Sequence, residues 1–224
     1  MLSVILPTFN EKEHLSELSA RIQAALPGAE IIVVDDNSPD GTADFARHLG
    51  LKVLVRPVRE GLASAVLEGF KIAKGDILCV MDADLSHSPE VLPEMLKQMK
   101  DADVVVGSRL IKGGGSLHWS WFKRIISNAA RWPAYPLTRV KDPTSGFFML
   151  KRTVLEGAKI NPIGFKILLE ILAKGKYRKA VEVPIIFAKR HEKGSKLGFY
   201  QITEYLVQLG LLYKDAVFKP KNKK

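Results

Sequence analysis

The feature that most constrains this chain is an alternation that runs through residues 2–106. Short, continuous apolar runs are separated there by stretches with helical spacing. The apolar runs cover residues 2–7, 30–34, 52–56, 76–81 and 103–106. Between them, residues 11–26 carry Leu15, Leu18, Ile22 and Leu26 at helical spacing. The turn residues Ser38, Pro39, Asp40, Gly41 and Thr42 lead into a helix through 45–49. Residues 61–74 set Leu62, Val66, Phe70 and Ala73 on one side, and 89–99 form another helix. Uniformly apolar strands with helices between them predict an α/β fold, a parallel sheet covered on both faces. In such sheets ligands bind at the carboxyl ends of the strands. Three polar clusters stand at those ends: residues 7–11, Asp35-Asp36, and 82–84.

The second half is less regular. Gly113-Gly114-Gly115 predicts a flexible loop, 146–150 a strand, 165–173 a helix and 181–187 a further strand. Residues 190–198 read as a basic, glycine-containing loop. Residues 200–218 carry Ile202, Leu206, Leu209 and Tyr213 at amphipathic spacing, before the basic tail 219–224. Residues 119–132 mix Trp119, Trp121 and Trp132 with Lys123, Arg124 and Arg131. That composition suits either a membrane interface or an ordinary buried helix.

Charge divides the chain more sharply than hydropathy does. Residues 1–108 hold 10 Lys and Arg against 17 Asp and Glu, a net −7; residues 109–224 hold 24 against 7, a net +17 within the overall +10. An acidic half suits a cation and a basic half suits an anionic partner. A nucleic-acid partner is not expected, because no nucleic-acid motif accompanies the basic half and the acidic clusters repel a phosphate backbone. The single cysteine, Cys79, can form no internal disulfide. The first strand, interrupted by Pro7, does not read as a signal peptide. No apolar run approaches the roughly 20 residues needed to span a bilayer.

Asp82-Ala83-Asp84 carries the most chemistry. Two carboxylates one residue apart can aim at a common point, and their repulsion is costly unless a cation neutralises them. Mg²⁺ or Mn²⁺ takes hard oxygen ligands and completes its shell with substrate phosphates. The other reading is an acidic cluster at the start of the helix announced by Ser88-Pro89-Glu90. Neither a Gly-rich dinucleotide fingerprint nor a phosphate loop ending in Gly-Lys-Ser/Thr is present, so an acidic site would need a metal to hold a diphosphate. Residues 7–11 and 33–38 would supply an apolar slot and acceptors for a nucleoside. They also read as turn and helix-cap chemistry, with Asn10, Asp40 or Thr42 as caps.

Several motifs then occur in order: P-T-F-N-E (7–11), V-V-D-D-N-S-P-D-G-T (33–42), V-M-D-A-D-L-S-H-S-P-E (80–90), G-S-R (107–109), D-P-T-S-G-F-F (142–148), N-P-I-G-F-K-I-L-L-E (161–170), V-P-I-I-F (183–187) and G-S-K-L (194–197). From residue 2 to about 214 the chain resembles the family 2 glycosyltransferases of GT-A fold, and within them the dolichyl- or polyprenyl-phosphate mannose synthases. The first three motifs are widely shared among nucleotide-sugar transferases; S-G-F-F and N-P-I-G-F-K are narrower. The resemblance implies a Rossmann-like, mostly parallel sheet flanked by helices in a catalytic domain over 1–198. Residues 1–108 would bind nucleotide and metal, 109–198 would bind acceptor, and an amphipathic helix with a basic tail would follow over 199–224.

By the same resemblance, Pro7, Phe9, Glu11, Val34 and Asp36 would hold the nucleoside, and Asp82, Ala83 and Asp84 would meet the diphosphate and a Mg²⁺ or Mn²⁺ ion. Arg109, Lys166, Arg190 and Lys196, with Lys123, would contact phosphates of donor or acceptor. Asp82, Asp84 and Arg109 would be catalytic. Where the family commonly has a metal-binding Gln, this chain has Ser86, whose shorter hydroxyl would ligate directly or through a bridging water. The implied reaction moves mannose from GDP-mannose to dolichyl or polyprenyl phosphate, with inversion. An ionised phosphate needs no strong general base, so positioning and charge neutralisation carry the rate. A glucose synthase using UDP-glucose and a non-catalytic nucleotide-sugar or membrane-surface module are the alternatives. A membrane-held acceptor implies a cytoplasmic protein peripheral on the cytosolic face of a membrane, with a possible anchoring partner subunit.

Overall fold

A computed structural model describes residues 1–116, 132–161, 163–188 and 199–218. The expected alternation is present: β1 (Leu2–Thr8), α1 (Lys12–Ala25), β2 (Glu30–Asp35), α2 (Thr42–His48), β3 (Lys52–Val55), α3 (Leu62–Ile72), β4 (Ile77–Val80), α4 (Leu92–Gln98) and β5 (Val104–Ser108). The later described elements are β6 (Gly115–Ser116), β7 (Phe148–Lys151), α5 (Ile167–Lys174), β8 (Ala180–Pro184), β9 (Ile186–Phe187) and α6 (Phe199–Phe218). Pro89–Val91 forms a 3₁₀ turn ahead of α4, and Trp132–Leu137 another ahead of β7.

The main sheet runs β3-β2-β1-β4-β7-β5-β8. β1 pairs parallel with β2, Thr8 opposite Asp35, and parallel with β4, Ile5 opposite Val80. Strand alternation then feeds two apolar layers. Val4, Leu6, Val33, Cys79 and Val105 pack with Leu15, Leu18 and Ile22 of α1 and with Leu92 and Met95 of α4. Ile5, Ile32, Val34, Leu78 and Val80 pack with Val66 and Phe70 of α3 and with Leu168 and Ile171 of α5. Gly69 brings α3 close to the sheet: a Cβ there would lie 2.6 Å from Ile5 Cγ2 and 3.1 Å from Val34 Cγ2.

The sheet is mostly parallel, as expected, with β7 inserted antiparallel between β4 and β5. Being antiparallel, it begins at the edge where its neighbours end, which delivers Ser145 to Phe147 to the carboxyl edge. The glycine triplet is not all loop. Gly114 must lack a side chain, since a Cβ would lie 2.5 Å from Ser108 O, and Gly115 opens β6, which pairs with β9. The strand expected over 181–187 is two strands. Ile185 breaks it, its amide donating to Ser108 O in the main sheet and its carbonyl accepting from Gly115.

α6 packs on α5 through Leu209 and Leu212, with Leu169 and Ala134 opposite them. Tyr205 and Tyr213 flank that contact, whereas Leu206 is 59% exposed. Of the expected stripe, Leu209 and Tyr213 therefore join the contact and Leu206 does not. Residues 119–131, the loop 190–198 and the tail 219–224 lie outside the described residues.

Two measurements test this packing. Gly69→Ala gains helix propensity of about 1 kcal/mol. It also forces a methyl against the fully buried Ile5 and Val34, so a net loss of about 1–2 kcal/mol is expected in urea denaturation. Glu90 accepts two bonds from Arg21 of α1, at 2.9 Å each. Those bonds bring its carboxyl down from 4.5 to about 2. Between those pH values the unfolded chain binds more protons, so the pair's contribution is complete above about pH 4.5 and disappears as pH falls toward 2. The stability difference between wild type and Glu90→Gln should close over that window. The pair is exposed, so that difference should be under about 1 kcal/mol at pH 7.

Candidate functional site

The parallel register of β1, β2 and β4 sets three strand ends side by side. At the end of β1, Thr8 Oγ1 donates to Asp35 Oδ1 at 2.8 Å. Ser38 donates to the same carboxylate from its amide (2.8 Å) and its hydroxyl (2.6 Å). Asn10 turns through φ 59°, its amide bonded to Ser38 Oγ at 2.9 Å. Asn10 does not cap α1. Instead Asp40 receives Lys12 N at 3.2 Å and Thr42 N at 2.9 Å, so one carboxylate ties the starts of α1 and α2 together. Glu11 is buried, its amide bonded to Thr42 Oγ1 at 3.1 Å.

Asp36, the next residue, is also buried. Arg56, at the end of β3, meets it with Nε at 2.6 Å from Oδ1 and with Nη2 closer still. Burial pushes the Asp36 carboxyl up, against the pull of the Arg56 guanidinium. Arg59 lies over the Phe9 ring, 4.1 Å from its centre. Phe9, Asp36 and Glu11, expected to hold a nucleoside, thus follow neighbouring strand ends at this edge, with Pro7 half-buried. Val34 is fully buried in the α3 layer. Only its backbone reaches the rim, where its carbonyl accepts from Thr8.

At the end of β4 the two acids differ. Asp82 is 32% exposed on its side chain, whereas Asp84 is 2% exposed. Asp84 Oδ1 accepts from the amide of Ser86 at 3.0 Å and from its hydroxyl. The buried Ser86 hydroxyl is thus directed at Asp84. The following helix begins only at Pro89 and has no side-chain cap, so the acids are not its capping cluster. Leu85 takes φ 60°, which turns the chain between the acids and His87.

His87 is buried between Phe147, stacked with ring centres 5.1 Å apart, and the edge of Phe187 at 5.3 Å. The amide of Asp82 donates to its Nδ1 at 3.1 Å, and burial pushes its pKa down. The ring is therefore neutral, with its proton on Nε2. Gly146, from the antiparallel entry to β7, closes the floor. A Cβ there would sit 3.3 Å from Asp82 Oδ1 and 3.4 Å from His87 Cε1.

Arg109, after β5, is held by Asp142 in a two-pronged pair, Nε to Oδ2 and Nη2 to Oδ1 at 2.8 Å each. Asp142 is fully buried, and its own amide donates to Glu182 Oε1 at 3.1 Å. Arg109 also faces the Phe187 ring, 5.6 Å from its centre. Lys166 reaches Thr144 O at 3.3 Å and lies over Phe165. Lys123, Arg190 and Lys196 lie outside the described residues, as does Pro162 in the loop before α5.

The donor chemistry fits a hard divalent cation in part. Asp82 and Asp84 bring carboxylate oxygens to one turn, but among the described residues no three His, Cys, Asp or Glu side chains gather into a cage. An ion held here would need oxygens from a bound ligand, as phosphates supply. Sequence reasoning left His87, Asp142, Gly146 and Arg56 without roles. The first three lie inside the quoted motifs, and their signal was position within a motif. Arg56 had only its place at the end of a strand.

Asp142→Asn removes the carboxylate charge that faces the largely buried Arg109 guanidinium. A loss of about 2–3 kcal/mol is expected in chemical denaturation, with Asp142→Ala at least as severe.

Residues 3–158 match the sequence model of the family described as Glycosyl transferase family 2. The chain is 49% identical over 224 residues to a dolichol-phosphate mannosyltransferase of Pyrococcus furiosus, covering 95% of this chain and 64% of that protein. It therefore spans under two thirds of that relative's length. It is 42% identical to a dolichol-phosphate mannosyltransferase of Saccharomyces cerevisiae, covering 97% of this chain and 87% of that one. Its fold is similar to that of glucosyl-3-phosphoglycerate synthase from Mycobacterium tuberculosis, crystallised with Mn²⁺, UDP-glucose and phosphoglyceric acid. The TM-score is 0.68 at 20% identity, covering 94% of this chain and 80% of that one.

Proposed function

This chain belongs to glycosyl transferase family 2, and from that premise we propose that it moves mannose from GDP-mannose to a dolichyl or polyprenyl phosphate. The observation that carries the reading is the convergence at one sheet edge of the Glu11 and Asp36 strand ends, the Asp82 and Asp84 pair, and the Asp142-held Arg109. Identity to two dolichol-phosphate mannosyltransferases over nearly the whole chain supports the sugar and the acceptor class.

An oxygen of the acceptor phosphate attacks the anomeric carbon as the bond from that carbon to the donor diphosphate breaks. The nucleoside diphosphate departs from the opposite face, so an α-linked donor gives a β-linked product. Asp82 and Asp84 would hold a Mg²⁺ or Mn²⁺ ion, which would supply positive charge to offset that of the leaving diphosphate. Ser86 fixes the Asp84 carboxylate through its amide and hydroxyl. Arg109, oriented by Asp142, offers donors to phosphate oxygens. Lys166 adds a further cation, and Lys123, Arg190 and Lys196 complete the proposed set. The buried, neutral His87 takes no proton from the nucleophile, because an ionised phosphate has none to give.

A lipid-bound acceptor calls for a protein at a membrane surface. No helix among the described residues is long and apolar enough to cross a bilayer. α6 instead turns Leu206 and Val207 outward, 59% and 55% exposed, and Trp132 is 76% exposed. These side chains suit peripheral attachment on the cytosolic face of a membrane, with a partner subunit as a further anchor.

Purified protein given labelled GDP-mannose, polyprenyl phosphate and Mg²⁺ or Mn²⁺ should yield a β-linked mannosyl lipid, and chelation should abolish the product. Asp82→Ala should lower kcat by about 10²-fold or more. Transfer from UDP-glucose in preference to GDP-mannose would overturn the choice of sugar, and unchanged transfer by Asp82→Ala would overturn the metal role.

A further inference from the structure

Arg56 lies outside the proposed chemistry, yet it is among the most heavily bonded side chains at the site's edge. Its side chain is 6% exposed, and burying a guanidinium is costly unless its donors are satisfied. All three of its side-chain nitrogens are engaged. Nε and Nη2 meet Asp36 Oδ1, Nη1 donates to Ser64 Oγ at 2.8 Å, and Nη2 also donates to Gly61 O at 3.0 Å. Its own amide donates to Asp35 O at 2.8 Å. One side chain thus locks the end of β2 to the first turn of α3.

The way Arg56 grips Asp36 matters as much as its presence. Both guanidinium contacts fall on Oδ1. Oδ2 is therefore the oxygen left, among the described residues, to accept an N–H from a ligand. Gripped at one oxygen, the carboxylate is held against rotation while the other oxygen keeps its lone pairs for a donor. We infer that Arg56 is a positioning residue for the donor nucleotide: by end-on pairing it fixes the Asp36 rotamer and presents Oδ2 to a nucleobase N–H donor. Its bonds to Ser64 and Gly61 hold the guanidinium itself, so that ligand binding need not order it.

The inference rests on the nucleotide-sugar reading, and one set of titrations separates the two. Calorimetric binding of GDP and UDP is measured for wild type, Arg56→Gln, Asp36→Asn, the double variant and Arg56→Lys, with the melting temperature of each. Arg56→Gln should weaken GDP binding about tenfold, as expected for loss of a charged hydrogen-bond support. The double variant should bind no more weakly than Asp36→Asn alone, because Arg56 acts through Asp36. Arg56→Lys keeps the charge and should recover part of the loss. In transfer assays the donor KM should rise for Arg56→Gln while kcat stays within about twofold, a split that a merely structural role would not produce.

Independent, multiplying losses in the double variant would overturn the inference, as would wild-type GDP affinity in a folded Arg56→Gln. Should Arg56→Gln not fold, Arg56→Lys decides: unchanged GDP affinity overturns the positioning role, and weakened affinity with an unshifted melting temperature upholds it. A wild-type protein that binds neither nucleotide would overturn the functional reading, and this inference with it.

Discussion

The parallel pairing of β1 with β2 on one side and β4 on the other is the constraint on which everything else depends. Because the three strands run the same way, their carboxyl ends share one edge, with Thr8 opposite Asp35 and Ile5 opposite Val80. Nothing in the separate segments would otherwise bring Asp36 and Asp82 to one sheet edge. The pairing is held by two apolar layers in which successive β1 residues face opposite ways, Val4 and Leu6 toward α1 and Ile5 toward α3. A slip by one residue would invert that pattern and bury the polar ends.

Gathering acids at one edge has an electrostatic cost, and the surrounding contacts show how it is met. Asp35 is satisfied by Thr8 and Ser38, Asp40 by the amides of Lys12 and Thr42, and Asp36 by Arg56. Asp84 takes Ser86. Asp82 differs: it is the half-exposed member, its carboxylate 3.9 Å from a neutral His87, and no cation of the described residues pairs with it. The edge therefore retains negative charge at Asp82. On the basic side Asp142 fixes Arg109 through a two-pronged pair, which orients the guanidinium.

The second half of the chain adds to this edge a strand that runs against the grain of the first half. β7 is antiparallel, so its entry carries Gly146 under the Asp82 carboxylate and Phe147 under His87. α6 closes over α5 with a small apolar contact. Within that contact Gln208 donates to Lys166 O at 3.2 Å, linking the C-terminal helix to the loop that bears a proposed phosphate contact.

The sequence by itself determined the alternating α/β core, its strand and helix ranges to within a few residues, and the three polar clusters at strand ends. These are local matters: apolar run length, helical spacing and turn residues are written in neighbouring positions. It also supplied the acid pair and the family, because motif order survives without coordinates. Only the tertiary structure decided which way β7 runs, that the 181–187 strand divides at Ile185, and that α6 buries Leu209 and Leu212 while exposing Leu206. The same holds for the partners of the charged groups. Arg56 and Asp36 are 20 residues apart and Arg109 and Asp142 are 33 apart, and no periodicity joins them. Such pairs are fixed by the packing of distant elements, which a linear pattern does not encode.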